Sequence, residues 1–197
     1  MYKIAAFITF NKKIEKNILS KKTKVKVKFG DQIYLNHPVH LTLFTISIKS
    51  INSLKKIYMD LGNGFSKKKF KININKTGAF LNDPLTKGHT LYYGIKKNDL
   101  LTKLQMKHLK LINKKIYVSK NLNLKINSKI KKNYKKYGFP FSGNIWIPHI
   151  TIASIKDISE KNAFIKKFLK LKINLSSEVD NIKFYRVNKD KHFFFIG

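Results

Sequence analysis

The chain has 197 residues, 43% of them hydrophobic, which is enough to bury a sizeable core. It contains no cysteine, so disulfides, thiolate metal sites and cysteine nucleophiles are excluded. No stretch approaches the roughly 20 consecutive apolar residues of a membrane span, and the apolar start of the chain is too short for a signal peptide. We therefore expect a cytoplasmic protein that does not associate with membranes.

The formal net charge is +32, and nearly all of the basic residues are lysine. Such a charge attracts anionic substrates and polyanions, because ammonium groups neutralise phosphates and release counterions. Arg186 is the one arginine, whereas a protein selected for phosphate recognition usually keeps more of them for bidentate contacts. The chain is also rich in asparagine and isoleucine, a bias that an AT-rich coding sequence produces whatever the function. This bias favours solvated lysine faces over a dedicated nucleic-acid surface.

The first half of the chain predicts strands that alternate with helices. Short apolar or alternating runs are typical of strands, and apolar residues three to four positions apart are typical of helices. On this basis we predict strands over Tyr2 to Phe10, Thr23 to Phe29 and Val39 to Ile48, and helices over Lys12 to Ser20 and from a Ser50 cap to Leu61.

The second half predicts the same alternation with more strands. The stretch from Lys114 to Lys136 is the least legible, and we interpret it as a loop followed by a helix that ends near Gly138. Helices are predicted to open at an Asn98 or Asp99 cap and at the capping-box spacing of Asp157 and Glu160. The predicted strands are Phe70 to Asn75, Ala79 to Leu81, His89 to Ile95, the region around 146–154, Ser177 to Asn188 and His192 to Ile196.

Two short stretches repeat one pattern of histidine, apolar residue, threonine and apolar residue: Val39-His40-Leu41-Thr42-Leu43 and Pro148-His149-Ile150-Thr151-Ile152. Each is predicted to be a buried strand, on which residues i and i+2 share a face. His40 therefore points with Thr42, and His149 with Thr151. Two such strands side by side would bring two imidazoles and two hydroxyls onto one wall. The alternative, that each histidine is an ordinary core residue, is disfavoured because the motif occurs twice in corresponding places.

These motifs, with Trp146-Ile147 before the second one, resemble the paired motifs of the 2H phosphoesterase superfamily, which contains the 2′-5′ RNA ligase-like proteins and cyclic phosphodiesterases. The resemblance extends over most of the chain, to a closing hairpin around 182–195. It implies an α+β, bilobal fold, with two pseudo-symmetric lobes of antiparallel sheet and flanking helices around a central cleft. It also implies a single domain over 1–197, in which each lobe contributes one motif strand, around 39–48 and 146–154.

The activity that the resemblance implies is hydrolysis of a 2′,3′-cyclic phosphate of RNA ends or nucleotides to a 2′-phosphate, with 2′-5′ RNA ligation as the possible reverse reaction. Imidazoles can act as base and acid near neutral pH, and threonine hydroxyls can donate hydrogen bonds to phosphate oxygens. By resemblance alone His40 is the acid and His149 the base. We expect no cofactor and no metal, because carboxylates are scarce and His37 with His40 is too slight a pair of ligands. The expected partner is RNA or a small nucleotide with a cyclic phosphate or a 2′-5′ linkage, bound by a monomer.

Two alternatives stay open: cleavage of 2′-5′ oligoadenylate, and a non-catalytic RNA-binding module that uses the same basic cleft. Trp146, Tyr92 and Phe141 are candidates for stacking a base. Arg186 is a candidate for a phosphate contact, or it pairs with Asp180 or Asp190. Among the other histidines, we expect His37 and His108 at the surface, His89 buried with a hydrogen-bond partner, and His192 in the final hairpin without a role.

Overall fold

The computed structural model describes residues 1–52, 54–65, 70–120, 127–179, 182–188 and 191–196, which contain nine strands and five helices. The helices are α1 (Lys12–Phe29), α2 (Leu54–Phe65), α3 (Asp99–Lys115), α4 (Ser128–Tyr137) and α5 (Ala163–Leu169). The strands are β1 (Tyr2–Ile8), β2 (Leu41–Ile48), β3 (Phe70–Phe80), β4 (His89–Ile95), β5 (Val118–Ser119), β6 (His149–Ile155), β7 (Leu175–Val179), β8 (Lys183–Asn188) and β9 (Lys191–Ile196). Among these helices, none is long and apolar enough to cross a membrane.

The strands form one antiparallel sheet in the order β7-β3-β4-β6-β2-β1-β8-β9, with β5 paired to β2. The order divides into two groups of four, β7-β3-β4-β6 and β2-β1-β8-β9, and each group places its motif strand innermost. The groups meet where Leu41 of β2 pairs with Ile150 of β6. The fold is therefore α+β with two pseudo-symmetric lobes, as the sequence predicts. Whether residues 1–197 make up one domain stays a prediction.

Each motif strand is innermost because its apolar residues fill the core that lies beneath the sheet. Leu41 and Leu43 of β2 and Ile150 and Ile152 of β6 are at most 1% exposed. Since side chains alternate between the two faces of a strand, burial of these four turns the histidine and threonine of each motif to the opposite face.

Helix α1 corrects the predicted strand over Thr23 to Phe29. The helix begins after Asn11, whose Oδ1 accepts a hydrogen bond from the Ile14 amide (3.1 Å), and it ends at Gly30 with φ +70°. Its buried positions are Ile14, Ile18, Lys22 and Val25, which follow helical spacing throughout. The alternation of lysine and valine predicts a strand, because the buried Lys22 interrupts the apolar face that would otherwise indicate a helix.

Four other predicted boundaries were wrong. Helix α2 continues past the predicted end at Leu61, to Phe65. Phe70 to Phe80 is one strand, whose register against β4 shifts between Ile74 and Lys76. Helix α5 starts after Asn162, whose side chain accepts from the Phe164 amide, and not at the Asp157 capping box. The predicted strand Ser177 to Asn188 is two strands, β7 and β8. The helix before Gly138 is confirmed as α4, and positions 121–126 of the preceding stretch lie outside the described residues.

Candidate active site

The two motif strands are neighbours, and their register fixes how the four polar side chains meet. Leu41 pairs with Ile150 in an antiparallel ladder. One step to either side, His40 lies opposite Thr151 and Thr42 lies opposite His149. Directly opposed residues place their Cβ atoms about 4.5–5.5 Å apart. All four side chains are half-buried on the face away from Leu41 and Ile150, so two imidazoles and two hydroxyls line one wall.

Both imidazoles are held by the same local hydrogen bond. His40 Nδ1 lies 2.6 Å from the carbonyl oxygen of Pro38, and His149 Nδ1 lies 2.8 Å from that of Ile147, in each case two residues earlier in the chain. A carbonyl oxygen can only accept, so each Nδ1 must carry the proton. The neutral ring then has an unprotonated Nε2, which can take a proton, and the same nitrogen can donate one when the ring is charged.

An aromatic ring covers each histidine, and the two rings occupy equivalent positions. Phe7 on β1 pairs with Thr42, and Tyr92 on β4 pairs with Thr151; in both ladders the register shifts directly before the aromatic residue. The Phe7 ring stacks on His40 with centroids 3.7 Å apart and planes at 23°. The Tyr92 ring lies 5.2 Å from that of His149.

A second aromatic residue stands one strand further out in each lobe. Tyr185 of β8 lies 5.1 Å from Phe7, and Phe80 of β3 stacks on Tyr92 at 4.5 Å and meets His149 edge-on at 5.1 Å. Gly78 makes the second arrangement possible, since a Cβ at that position would lie 2.6 Å from Cε2 of Tyr92. Each imidazole is thus set in an apolar, aromatic surround that favours its neutral form.

The surroundings of His40 are positively charged or able to become so. The ring of His192 lies 5.4 Å from that of His40 and 4.2 Å from that of His37. Burial lowers the pKa of His40 to about 3; the hydrogen bond to Pro38 opposes this shift, while His192, His37 and Lys22 add to it. A proton on His40 is therefore unfavourable in the free protein.

The charged group near His149 is negative, unlike those near His40. Burial lowers the pKa of His149 as well, but both the bond to Ile147 and the carboxylate of Asp83 act to raise it. Asp83 is itself buried and accepts hydrogen bonds from the Thr90 hydroxyl (2.6 Å) and the Leu85 amide (2.9 Å). The two histidines are alike in geometry and unlike in the charge that faces them.

Comparisons with known proteins decide the family. Residues 3–196 match the family model described as the AKAP7 2'5' RNA ligase-like domain. The chain belongs to this family, within the 2H phosphoesterase superfamily. No curated protein sequence matches it.

Solved structures share the fold of this 2H phosphoesterase. The protein TT0787 of Thermus thermophilus superposes with a TM-score of 0.66 at 14% identity, over 98% of this chain and 94% of that one. LigT of E. coli, solved in complex with 3'-AMP, gives a TM-score of 0.56 at 12% identity, over 100% and 95%. At such identities the likeness concerns the fold alone.

The structure brings one of the sequence-predicted substrate residues to the histidines. Tyr92 contacts His149, as described above. Trp146 is a core residue, only 4% exposed, which does not favour a base-stacking role. Phe141 is 40% exposed, and its ring contacts Phe139 on the connection that leads to the second motif. The Arg186 guanidinium lies over the ring of Tyr2 at 5.2 Å; the pairing with Asp180 or Asp190 falls outside the described residues.

The other histidines of the 2H phosphoesterase follow the sequence predictions only in part. His89 is buried as expected, with Nδ1 accepting from the Asn82 amide and Nε2 3.0 Å from the Ile158 carbonyl. His108 was expected at the surface, but it is 3% exposed on the buried face of α3. His37 was also expected at the surface, but it is half-buried against His192.

Sequence reasoning missed four aromatic or histidine neighbours of the motif: Phe7, Phe80, Tyr185 and His192. Each comes from a strand far away in the chain, and only the strand order and register bring it to the cleft. The alternation of the strands shows that such residues point to one face, but it does not show which strand lies beside which. Among the described residues, no group of three or more histidines, cysteines and carboxylates could hold a metal ion.

Proposed function

We propose that this chain is a metal-independent phosphodiesterase that opens a 2′,3′-cyclic phosphate, on RNA ends or on nucleotides, to a 2′-phosphate. The observation that carries the proposal is the antiparallel pairing of Leu41 with Ile150, whose register sets His40 opposite Thr151 and Thr42 opposite His149. A phosphate on this wall would have an imidazole Nε2 on each side and a hydroxyl beside each imidazole.

In the proposed reaction one imidazole takes a proton from water, and the water oxygen attacks phosphorus. The bond between phosphorus and the ribose 3′ oxygen breaks, and the second imidazole, in its protonated form, gives its proton to that oxygen. The products are a 2′-phosphate and a free 3′ hydroxyl. The hydroxyls of Thr42 and Thr151 donate to the non-bridging oxygens, on which negative charge accumulates in the transition state.

The charges around the rings support a division of roles. The acid must hold a proton before reaction, and Asp83 favours a proton on His149, whereas Lys22, His37 and His192 disfavour one on His40. The anionic substrate raises the proton affinity of whichever ring it meets. We assign His149 as acid and His40 as base, which is the reverse of the division that resemblance alone implies.

The solved LigT structures support a nucleotide-sized ligand, since that protein has been captured with 3'-AMP, NADP+, phosphate and ATP. The net charge of +32 would attract the same class of anions to this chain. By analogy we expect a nucleoside phosphate, or the terminal nucleotide of an RNA, to occupy the cleft between the two lobes.

The test is turnover of adenosine 2′,3′-cyclic phosphate in EDTA, with the 2′- and 3′-phosphate products separated by chromatography. The wild type should form the 2′-phosphate, and His40→Ala and His149→Ala should each lower kcat by more than about 100-fold. Circular dichroism of each variant serves as the folding control. Near-normal turnover by either folded variant, or loss of wild-type turnover in EDTA, would overturn the proposal.

The same assay separates the alternatives. Faster initial rates on 2′-5′ oligoadenylate than on cyclic phosphates would indicate the oligoadenylate phosphodiesterase. Salt-sensitive RNA binding by a protein that turns over none of these substrates would indicate a binding module. Joining of RNA halves through a 2′-5′ bond, measured with a cyclic-phosphate end and a 5′ hydroxyl end, would show ligase activity, in which the 5′ hydroxyl takes the place of water as the nucleophile.

A further inference from the structure

A buried lysine holds the loop before the first motif. The Nζ atom of Lys22, on α1, lies 2.6 Å from the carbonyl oxygen of Tyr34, 3.2 Å from that of Leu35 and 2.7 Å from that of His37. These carbonyls stand six, five and three positions before His40. The lysine is 4% exposed, so its three N–H donors are directed to this loop and not to solvent.

A second lysine holds the loop before the second motif in the same way. The Nζ atom of Lys97, which follows β4, lies 2.8 Å from the carbonyl oxygen of Gly143, 3.0 Å from that of Asn144 and 3.2 Å from that of Trp146. These carbonyls stand six, five and three positions before His149. The offsets are those of the first loop.

The backbones of the two loops, residues 34–37 and 143–146, are also alike. The amide of His37 donates to the Tyr34 carbonyl (3.2 Å), and the amide of Trp146 donates to the Gly143 carbonyl (3.2 Å). The first residue of each loop has a positive φ, +72° at Tyr34 and +60° at Gly143. For tyrosine this backbone region is unfavourable, so the Lys22 contacts hold a conformation that the first loop would not adopt readily by itself.

Each loop ends directly before the carbonyl that holds a histidine. His37 precedes Pro38, whose oxygen accepts from His40 Nδ1, and Trp146 precedes Ile147, whose oxygen accepts from His149 Nδ1. A shift of the loop would move this oxygen and weaken its hydrogen bond to Nδ1. The imidazole would then change its orientation and lose its preference for the Nδ1–H tautomer. We propose that Lys22 and Lys97 are paired positioning residues, each fixing through its loop the Nδ1–H tautomer and orientation of the histidine that follows.

The two lysines come from different kinds of element, so their shared contacts are not a simple consequence of the repeated histidine–threonine motif. Lys22 lies in the third turn of a helix, whereas Lys97 lies between a strand and the Asn98 cap of α3. What the two lysines share is the ammonium and its three carbonyl partners, not the element that carries them. An ammonium has three donors directed from one point, whereas the planar fork of arginine cannot meet three converging carbonyls in this way.

The catalytic consequence rests on the proposed function, so the first measurement does not depend on activity. In Lys97→Met, nitrogen-15 NMR of the histidine side chains should show that His149 loses its exclusive Nδ1–H tautomer. The His40 signals in the same sample should stay unchanged and serve as the internal control. Lys22→Met, if it folds, should show the converse. Lys96→Met, which removes a neighbouring exposed ammonium, should change neither ring.

The second measurement is kinetic. For Lys97→Met on adenosine 2′,3′-cyclic phosphate we expect kcat to fall by about 10-fold or more, since misplacing an acid or base lowers the rate without removing it. KM should change by less than about threefold, because the threonines still bind the phosphate. The control Lys96→Met should keep wild-type constants.

Chemical rescue tests the ammonium itself. The chain has no cysteine, so Lys97→Cys creates a unique thiol that bromoethylamine converts into a lysine-like aminoethyl side chain. We expect the aminoethylated protein, but not the unmodified variant, to regain the wild-type His149 tautomer and most of kcat. An unchanged His149 tautomer in Lys97→Met would overturn this inference even with the activity intact. Absence of wild-type turnover with a changed tautomer would instead overturn the proposed function and leave the positioning role standing.

Discussion

His40 and His149 occupy equivalent places in two lobes, yet the side chains around them give them different proton affinities. Each ring donates from Nδ1 to the carbonyl two residues earlier and lies against an aromatic residue of the neighbouring strand. The difference lies in Asp83 on one side and in Lys22, His37 and His192 on the other. Equal geometry with unequal charge is what a reaction with one acid and one base requires.

The division of roles predicts how the two histidines respond to the leaving group. In uridine 2′-(4-nitrophenyl phosphate) the ribose 3′ hydroxyl attacks phosphorus, and nitrophenolate leaves from the position that water occupies in cyclic-phosphate hydrolysis. By microscopic reversibility His149 then takes the proton of the 3′ hydroxyl, and His40 faces the nitrophenolate, which departs without protonation. On this substrate His40→Ala should lose less than about 10-fold in kcat, although it loses more than about 100-fold on the cyclic phosphate. His149→Ala should be impaired on both substrates, and release of nitrophenolate measured by absorbance gives the rates. The opposite pattern would restore His40 as the acid.

At the scale of residues, the sequence identified the motif and little of its surroundings. His40, Thr42, His149 and Thr151 could be placed on one wall because a strand has a strict two-residue period and the motif occurs twice. Phe7 and Phe80 could not be assigned, because their positions depend on long-range register, which local pattern does not encode. Lys22 and Lys97 could not be distinguished either, since a lysine whose ammonium is bound by loop carbonyls has the same letter as the many lysines that are not bound in this way.

At the scale of elements, the largest error concerned α1. The run from Thr23 to Phe29 alternates as a strand would, yet it continues a helix. The spacing of Ile14, Ile18 and Val25 already fits a helix, and the missing member of that face was Lys22, whose side chain is buried because the loop carbonyls satisfy its ammonium. Lys22 thus interrupts the apolar helical pattern at the position where its side chain binds the loop.

Strand β3 carries a prediction about glycine. An alanine Cβ at position 78 would lie 2.6 Å from Cε2 of Tyr92, so Gly78→Ala must displace a ring that contacts His149. We expect Gly78→Ala to lower the free energy of unfolding by about 1–3 kcal/mol, measured by urea denaturation. In a Tyr92→Ala background the same change should cost less than about 0.5 kcal/mol, because the obstructing ring is gone.

Gly94 offers the matched control. Gly94 lies on β4, and a Cβ there meets the aliphatic part of Lys76 on β3. The lysine side chain is flexible and can move aside at small cost. Gly94→Ala should therefore destabilise the protein less than Gly78→Ala. Equal losses for the two variants, or an undiminished loss for Gly78→Ala without the Tyr92 ring, would show that packing against Tyr92 is not why glycine is needed.

At the scale of the whole molecule, the fold joins two similar halves through a short seam. β2 and β6 pair at Leu41 and Ile150, and beyond that pair the Leu43 carbonyl accepts instead from Gln105 Nε2 of α3 (2.8 Å). The same glutamine accepts from the Gly143 amide (2.9 Å), so one buried side chain links the first motif strand to the loop before the second motif. The connection between the two halves therefore depends on a side chain of α3 as well as on the strand pairing.

Acid stability is a property of the whole molecule that follows from its buried histidines. Burial lowers the pKa of His108 to about 4, and that of His40 to about 3. In the unfolded chain a histidine has a pKa of about 6.5, so between that value and the folded one the unfolded state binds more protons. Stability is therefore fully present above about pH 6.5 and is lost as the pH falls through this window. For His108 alone the loss from pH 7 to pH 4 is roughly 3 kcal/mol.

Replacement of His108 by glutamine isolates this contribution, since the residue belongs to α3 and not to the proposed catalytic wall. Glutamine does not titrate, so His108→Gln should be less stable than the wild type at pH 7, where it lacks the fitted imidazole. It should then lose less stability than the wild type between pH 7 and pH 4. Urea unfolding at several pH values measures both quantities. A slope of stability against pH that matches the wild type would mean that His108 takes up its proton over the same pH range in the folded and the unfolded protein, which its burial at 3% exposure opposes.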